Sequence, residues 1–145
     1  MTASDPGTEL RETAERLHSA AIRLLRTLRR EDDGSGLSAP RLSALSVIVF
    51  AGPLSLAALA AAEQVRPPTM SRIVDALVAA GLVSRTPDPH DRRTVRIAAT
   101  AAGATLLHAA RARRVEALVA RLAGLSEAER RALVCGLAAL ENTLG

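Results

Sequence analysis

Residues 66–100 read RPPTMSRIVDALVAAGLVSRTPDPHDRRTVRIAAT, and the reading of this stretch decides the fold. Pro67 and Pro68 suit a helix start, because proline fixes φ and gives up a backbone N–H that has no partner there. Met70, Ile73, Val74, Leu77 and Val78 then recur at helical spacing and form an apolar stripe. Thr69, Ser71, Arg72 and Asp75 occupy the other face. Gly81 is placed to stop the helix as a left-handed cap. Leu82–Thr86 and Thr94–Ala99 carry β-branched residues on either side of a turn-rich loop, which predicts a hairpin. The loop, Pro87 to Arg93, ends in two arginines. A polar helix face beside an arginine-tipped hairpin can engage a DNA duplex in two grooves at once.

Outward from this stretch, the pattern is helical. Upstream, Ser55 is placed to cap a short helix with Leu56, Leu59 and Ala60 inward, running to about Gln64, and Leu54-Ser55 can form a minimal strand. Two short helices joined by a tight turn fit a helix-turn-helix whose second member reads DNA. Before it, Ser38 and Pro40 predict the start of a largely buried helix carrying Leu42, Leu45, Val47, Ile48 and Val49, ended by Gly52-Pro53. Glu31–Gly36 is a polar break. Between Glu9 and about Arg30, Leu10, Ala14, Leu17, Ala21, Leu24 and Leu28 alternate spacings of four and three. That seam fits a helix packed on its own domain and equally one packed on a partner subunit.

Downstream, Thr100 caps a long helix to about Ala123, with Leu107, Val115, Leu118 and Leu122 on one side. Arg111, Arg113 and Arg114 cluster on it. Ser126-Glu127-Ala128-Glu129 is a capping box for a last helix striped by Leu133, Leu137, Leu140 and Leu144.

Composition narrows the function. The chain has 145 residues, the size of one domain, and 48% hydrophobic residues, enough for a core. Net charge is +4, and all 19 basic residues are arginines, which grip phosphate and guanine edges bidentately. One Phe and no Trp or Tyr leave no platform for stacking bases, which disfavours single-stranded nucleic acid and leaves duplex DNA. No apolar run reaches transmembrane length, the N-terminus lacks a signal-peptide apolar region, and the single Cys135 cannot form an internal disulfide. A cytoplasmic protein is expected. His18, His90 and His108 lack metal-ligand spacing, so no metal or other cofactor is expected. No nucleophile elbow or glycine-rich phosphate loop occurs, so an enzyme is not expected.

The order of elements resembles the MarR family of bacterial transcription regulators. Thr69-Met-Ser-Arg-Ile-Val-Asp-Ala-Leu, followed by Ala80-Gly81-Leu82-Val83-Ser84-Arg85, is similar to that family's reading helix and first wing strand. Asp91-Arg92-Arg93, followed by Val95, Ile97, Thr100 and Gly103, is similar to its wing signature. The likeness runs from about residue 9 to 144. It departs where the family often has a polar cap and this chain has Arg66-Pro67-Pro68, and where Ala99 stands in place of the Leu that usually precedes the Thr.

The resemblance implies one mainly α domain over 1–145, a winged helix-turn-helix with a small β-hairpin wing over about 38–99. The helices over about 9–30 and 101–144 would form the dimerisation region. It implies a homodimer that binds duplex DNA at an inverted repeat, as a repressor, and is released by a small lipophilic or aromatic effector or by oxidation. Arg93 would enter the minor groove, held by Asp91. Thr69, Ser71 and Arg72 are candidates for base or phosphate contact, and Arg66 for DNA contact; Arg85, His90 and Arg92 are either phosphate neighbours or plain surface. Ser38 and Ser55 stand at helix N-termini, where phosphate contact and ordinary capping are both open. Effector release is expected where Leu17, Ala21 and Leu24 of the first helix face Leu45, Ile48 and Val49 of the second, with Arg16 or Arg23 pairing a carboxylate. Cys135 is expected to be buried and inert. A second reading is a dimeric winged-helix protein used for protein–protein contact, which would expose an apolar patch on the reading helix and wing.

Overall fold

The computed structural model describes residues 6–89 and 94–145. Among the described residues the regular elements are, in order, α1 (Pro6–Asp32), α2 (Ala39–Ala51), β1 (Leu54–Ser55), α3 (Leu56–Ala62), α4 (Pro67–Ala79), β2 (Val83–Pro87), β3 (Val95–Ala99), α5 (Ala101–Leu122) and α6 (Glu127–Leu144). A 3-10 turn, Asp33–Ser35, joins α1 to α2. The protein is mainly helical, with a small antiparallel sheet in the order β1-β3-β2.

The core forms where the apolar stripes of α2, α3, α4 and α5 converge beneath that sheet. Leu42, Leu45 and Ile48 of α2, Leu59 of α3, Met70, Val74 and Leu77 of α4 and Ile97 of β3 are almost completely buried. Fully burying one such side chain contributes about 1.5–3 kcal/mol. Val47, Val49, Leu56 and Ile73 pack against this cluster while half-buried. Val78, expected on the inner stripe of α4, stays exposed, although Leu77 beside it in the same last turn is fully buried.

Local chemistry explains the ends of the elements. α4 closes in a Schellman motif: Gly81 at φ 72 donates to the Val78 carbonyl and Leu82 donates to that of Leu77. Leu82 is thereby used in the cap, so β2 begins one residue later than the hairpin expectation. Proline at its far end, Pro87, is tolerated because β2 is an edge strand. α3 ends at Ala62, short of Gln64, through the same motif with Gln64 itself in the left-handed region at φ 54. A non-glycine residue there costs about 1 kcal/mol.

Thr100 joins the wing to the helices. Its hydroxyl accepts from the Gly103 N–H at 3.1 Å, capping α5, and donates to the Gly81 carbonyl at 2.7 Å. Its N–H bonds the Leu82 carbonyl at 3.0 Å. Gly103 lies so close beneath that a Cβ on it would stand 2.0 Å from the Leu82 oxygen. The glycine is required there.

The Ser126 box at the start of α6 forms fully. The Ser126 hydroxyl and N–H both donate to the Glu129 carboxylate at 2.8 Å, and those hydrogen bonds hold its pKa below the ordinary 4.5. α1 packs on α5, and its end is pinned there by Arg114, whose Nε donates to the buried Asp32 carboxylate at 2.5 Å.

Two further expectations are corrected here. Ser38 stands at the N-cap position of α2, but its side chain makes no capping bond. Cys135 is exposed, not buried, because α6 carries no buried residue at all in the single chain.

Candidate nucleic-acid interface

α3, the turn at Gln64 and α4 form the helix-turn-helix. The inner stripe of α4 is locked by the core, so its opposite face must point outward. Thr69, Arg72 and Asp75 lie on that face and are exposed, as are Arg66, Pro67 and Pro68 at its tip. Ser71 departs from the expectation. It is half-buried and lines a recess of about 270 Å³ with Leu56, Arg85, Val95 and Ile97. At position 71 the helical period turns the side chain toward the sheet, away from the Thr69–Arg72 stripe.

β2 and β3 pair from Val83 with Ala99 to Pro87 with Val95, so the hairpin projects outward from a buried base. Val83 at that base is buried, and Arg85, Thr86 and Pro87 are exposed. Two ion pairs shape the hairpin, and neither was visible in the spacing of residues. Arg85 Nη1 meets the Asp75 carboxylate at 2.8 Å, tying the wing strand to the outer face of α4. Arg96 Nε donates to Asp88 at 2.5 Å, with Asp88 largely buried, and the Asp88 N–H bonds the Thr94 carbonyl at 2.8 Å. Asp88 therefore closes the root of the wing loop, where the sequence suggested only a turn former. His90, Asp91, Arg92 and Arg93 lie outside the described residues.

The serines separate. The Ser55 hydroxyl accepts from the Ala58 N–H at 3.2 Å and is half-buried, so capping occupies it. Ser38 is exposed with no capping bond. The outer face of α4 offers polar and charged groups with proline rings at its tip. The nearest large exposed hydrophobics are the separated Val78 and Val95, which do not amount to an apolar patch. Among the described residues no cluster of His, Cys, Asp or Glu could hold a metal ion. No single helix among them is long and apolar enough to cross a membrane.

A second recess, of about 280 Å³, opens between α1, α2 and α5. Leu25, Leu28 and Arg29 of α1 face Leu42, Ser43 and Ser46 of α2 across it, with Arg114 and Asp32 at one end. This is the junction expected for an effector, but its lining is different. Leu45 and Ile48 are consumed by the core, and Leu17 lies with Arg16 and Arg23 along an open groove on α1.

The MarR family model matches residues 37–95, which contain the helix-turn-helix and most of the wing. An HTH-type transcriptional regulator of Mycobacterium tuberculosis is 42% identical over 117 residues, covering 81% of this chain and 82% of that protein. A counterpart in Mycobacterium leprae is 41% identical over the same share of each. Among solved structures, a MarR family protein from Bacillus stearothermophilus superposes with a TM-score of 0.83 at 22% identity, covering 97% of this chain and 99% of that one. A MepR variant from S. aureus, bound to an oligodeoxyribonucleotide, superposes with a TM-score of 0.70 at 20% identity, covering 92% and 98%. With that sequence identity across most of its length and this winged helix-turn-helix, the chain belongs to the MarR family of DNA-binding transcriptional regulators.

Proposed function

We propose that the protein is a homodimeric repressor that binds an inverted-repeat operator and is released by a small lipophilic or aromatic acid. The observation that carries the DNA reading is the Asp75–Arg85 pair, which sets the wing strand beside the exposed Thr69–Arg72 face of α4. α4 would enter the major groove, with Arg72 able to grip a guanine bidentately, worth about 1–3 kcal/mol of discrimination. Arg93, supported by Asp91, would enter the neighbouring minor groove, with Arg92, His90 and Arg66 near phosphates. Arg85 would reach phosphate only by sharing itself with Asp75, and Ser38, Ser55 and Ser71 would be peripheral contacts.

The domain would divide into a DNA-binding part over about 38–99 and dimerisation helices over about 9–30 and 101–144. The support is the exposed apolar stripe of α1 and α6: Leu10, Leu17 and Leu24 on one, Leu133, Leu137 and Leu144 on the other. A two-fold dimer presents its reading helices to half-sites about 34–36 Å apart. The effector would occupy the α1–α2–α5 recess, where Arg29 can pair a carboxylate against Leu25, Leu28 and Leu42. A ligand that prefers the DNA-incompetent dimer shifts the population by no more than its differential affinity.

The test is sequencing of genomic DNA retained by the purified protein, followed by titration of wild type, Arg72→Ala and Arg93→Ala on the recovered duplex and on a scrambled one. Recovery of an inverted repeat is expected. Arg93→Ala should weaken binding broadly, and Arg72→Ala should also change sequence preference. Fragments with no shared sequence would refute the reading. In a release assay, salicylate-like acids should free the DNA. Because Cys135 is exposed in the single chain, a Cys135→Ser variant belongs beside them. Release of wild type by peroxide, but not of that variant, would make the thiol the sensor instead.

A further inference from the structure

The tip of α4 lacks what helix tips ordinarily offer. A helix leaves its first N–H groups without intrahelical partners, and these attract phosphate. In α4 the first two positions are Pro67 and Pro68, which have no N–H. The next two donors are satisfied, since the Thr69 and Met70 N–H groups both bond the Arg66 carbonyl, at 3.0 and 3.1 Å. Arg66 adds no side-chain cap. Between the exposed Arg66 and Thr69 the tip presents hydrocarbon, the two exposed pyrrolidine rings of Pro67 and Pro68. Residues four apart share a helix face, so Pro68 and Arg72 form one stripe. Asp75 follows, with its charge offset by Arg85 at 2.8 Å.

We infer that the Pro67-Pro68-Thr69 tip reads thymine, packing against its C5 methyl in the major groove, while Arg72 reads a guanine about two base steps away. The inference rests on the DNA-binding reading above and names what that site selects. In the major groove the methyl marks thymine alone among the four bases, and apolar side chains recognise it. Phosphate oxygens or purine acceptors set against proline carbons would lose hydration with no donor in return. The proline rings therefore favour a thymine methyl, while the exposed Arg66 beside them would meet phosphate. Four residues of helix rise about 6 Å, against roughly 3.4 Å per base step, which gives the spacing of about two steps.

The experiment uses the full chain and duplexes selected from a random-sequence pool. In a selected duplex, the thymine two steps from the guanine in each half-site is replaced by uracil, which keeps the base pairing and removes only the methyl. Wild type should lose about fourfold in affinity per methyl, or about fifteenfold for both half-sites. A Pro67→Ser, Pro68→Ser variant, which restores two N–H groups at an exposed helix start, should bind the two duplexes nearly equally. If the variant does not fold, the wild-type comparison still decides. Equal affinity of wild type for both duplexes overturns this inference alone. Full discrimination retained by the serine variant places the methyl contact elsewhere and also overturns it. Selection of no duplex overturns the DNA-binding reading, and this inference with it.

Discussion

The winged half and the terminal helices treat the same kind of residue in opposite ways. Between Leu42 and Ala110 the leucines, valines and isoleucines of α2, α3, α4, β3 and α5 converge on one another and close a core. On α1 and α6 leucines recur at equally regular spacing, yet none is buried: Leu10 is 72% exposed and Leu144 is 76% exposed. Periodicity alone does not distinguish the two regions. What distinguishes them is whether the chain returns to cover the stripe. The winged half is folded back on itself by the sheet and the Thr100 junction, while α6 leaves α5 and meets little else. The open stripe is the surface that a second copy would cover in the proposed dimer.

The contrast can be broken most severely at Gly103. Its closeness to the Leu82 carbonyl allows no side chain, so Gly103→Ala should destabilise the winged half by about 3 kcal/mol, read from urea denaturation. DNA affinity should fall with it, because the wing root moves. A variant with unchanged stability would show that the junction yields freely.

Next in size is the pin between the two regions. Arg114→Ala leaves the Asp32 carboxylate buried without its partner and should cost about 2 kcal/mol. Asp32→Ala should cost less, since Arg114 is a third exposed and can regain water. The double variant should recover most of the loss. Additive losses in this cycle would mean that the pair is not coupled.

The smallest effect sharpens the account of the winged half. Gln64→Gly should stabilise it by about 1 kcal/mol, because glycine enters the left-handed region without the steric cost. A loss of stability would instead show that the Gln64 side chain holds the turn.

The features readable in the sequence were the local ones. Pro67, Gly81, Thr100 and the Ser126 box act through neighbours a few residues away, so their chemistry is written in short spacings. The Thr69–Arg72 face followed from the helical period in the same way. Contacts across long separations were hidden. Asp32 meets Arg114 from 82 residues away, and Arg85 meets Asp75 from strand to helix, with no spacing rule to announce either. Gly103 stood in the quoted signature, but the carbonyl that demands it comes from another element. Ser71 was misplaced because a polar residue at the edge of a stripe can turn toward a neighbouring strand as easily as toward solvent. Cys135 was misjudged because apolar neighbours along a helix suggest burial only if something packs on them.

In the proposed dimer two chains, joined through the open stripes of α1 and α6, act together on one duplex. Sedimentation velocity of the protein with a selected inverted-repeat duplex tests it most directly, run beside a Leu17→Asp, Leu137→Asp variant. The wild-type complex should carry twice the 15.1 kDa chain mass on each duplex. The variant should keep its folded winged half and sediment as a monomer with far weaker binding. One wild-type chain per duplex, or a variant that still binds as a pair, would contradict it.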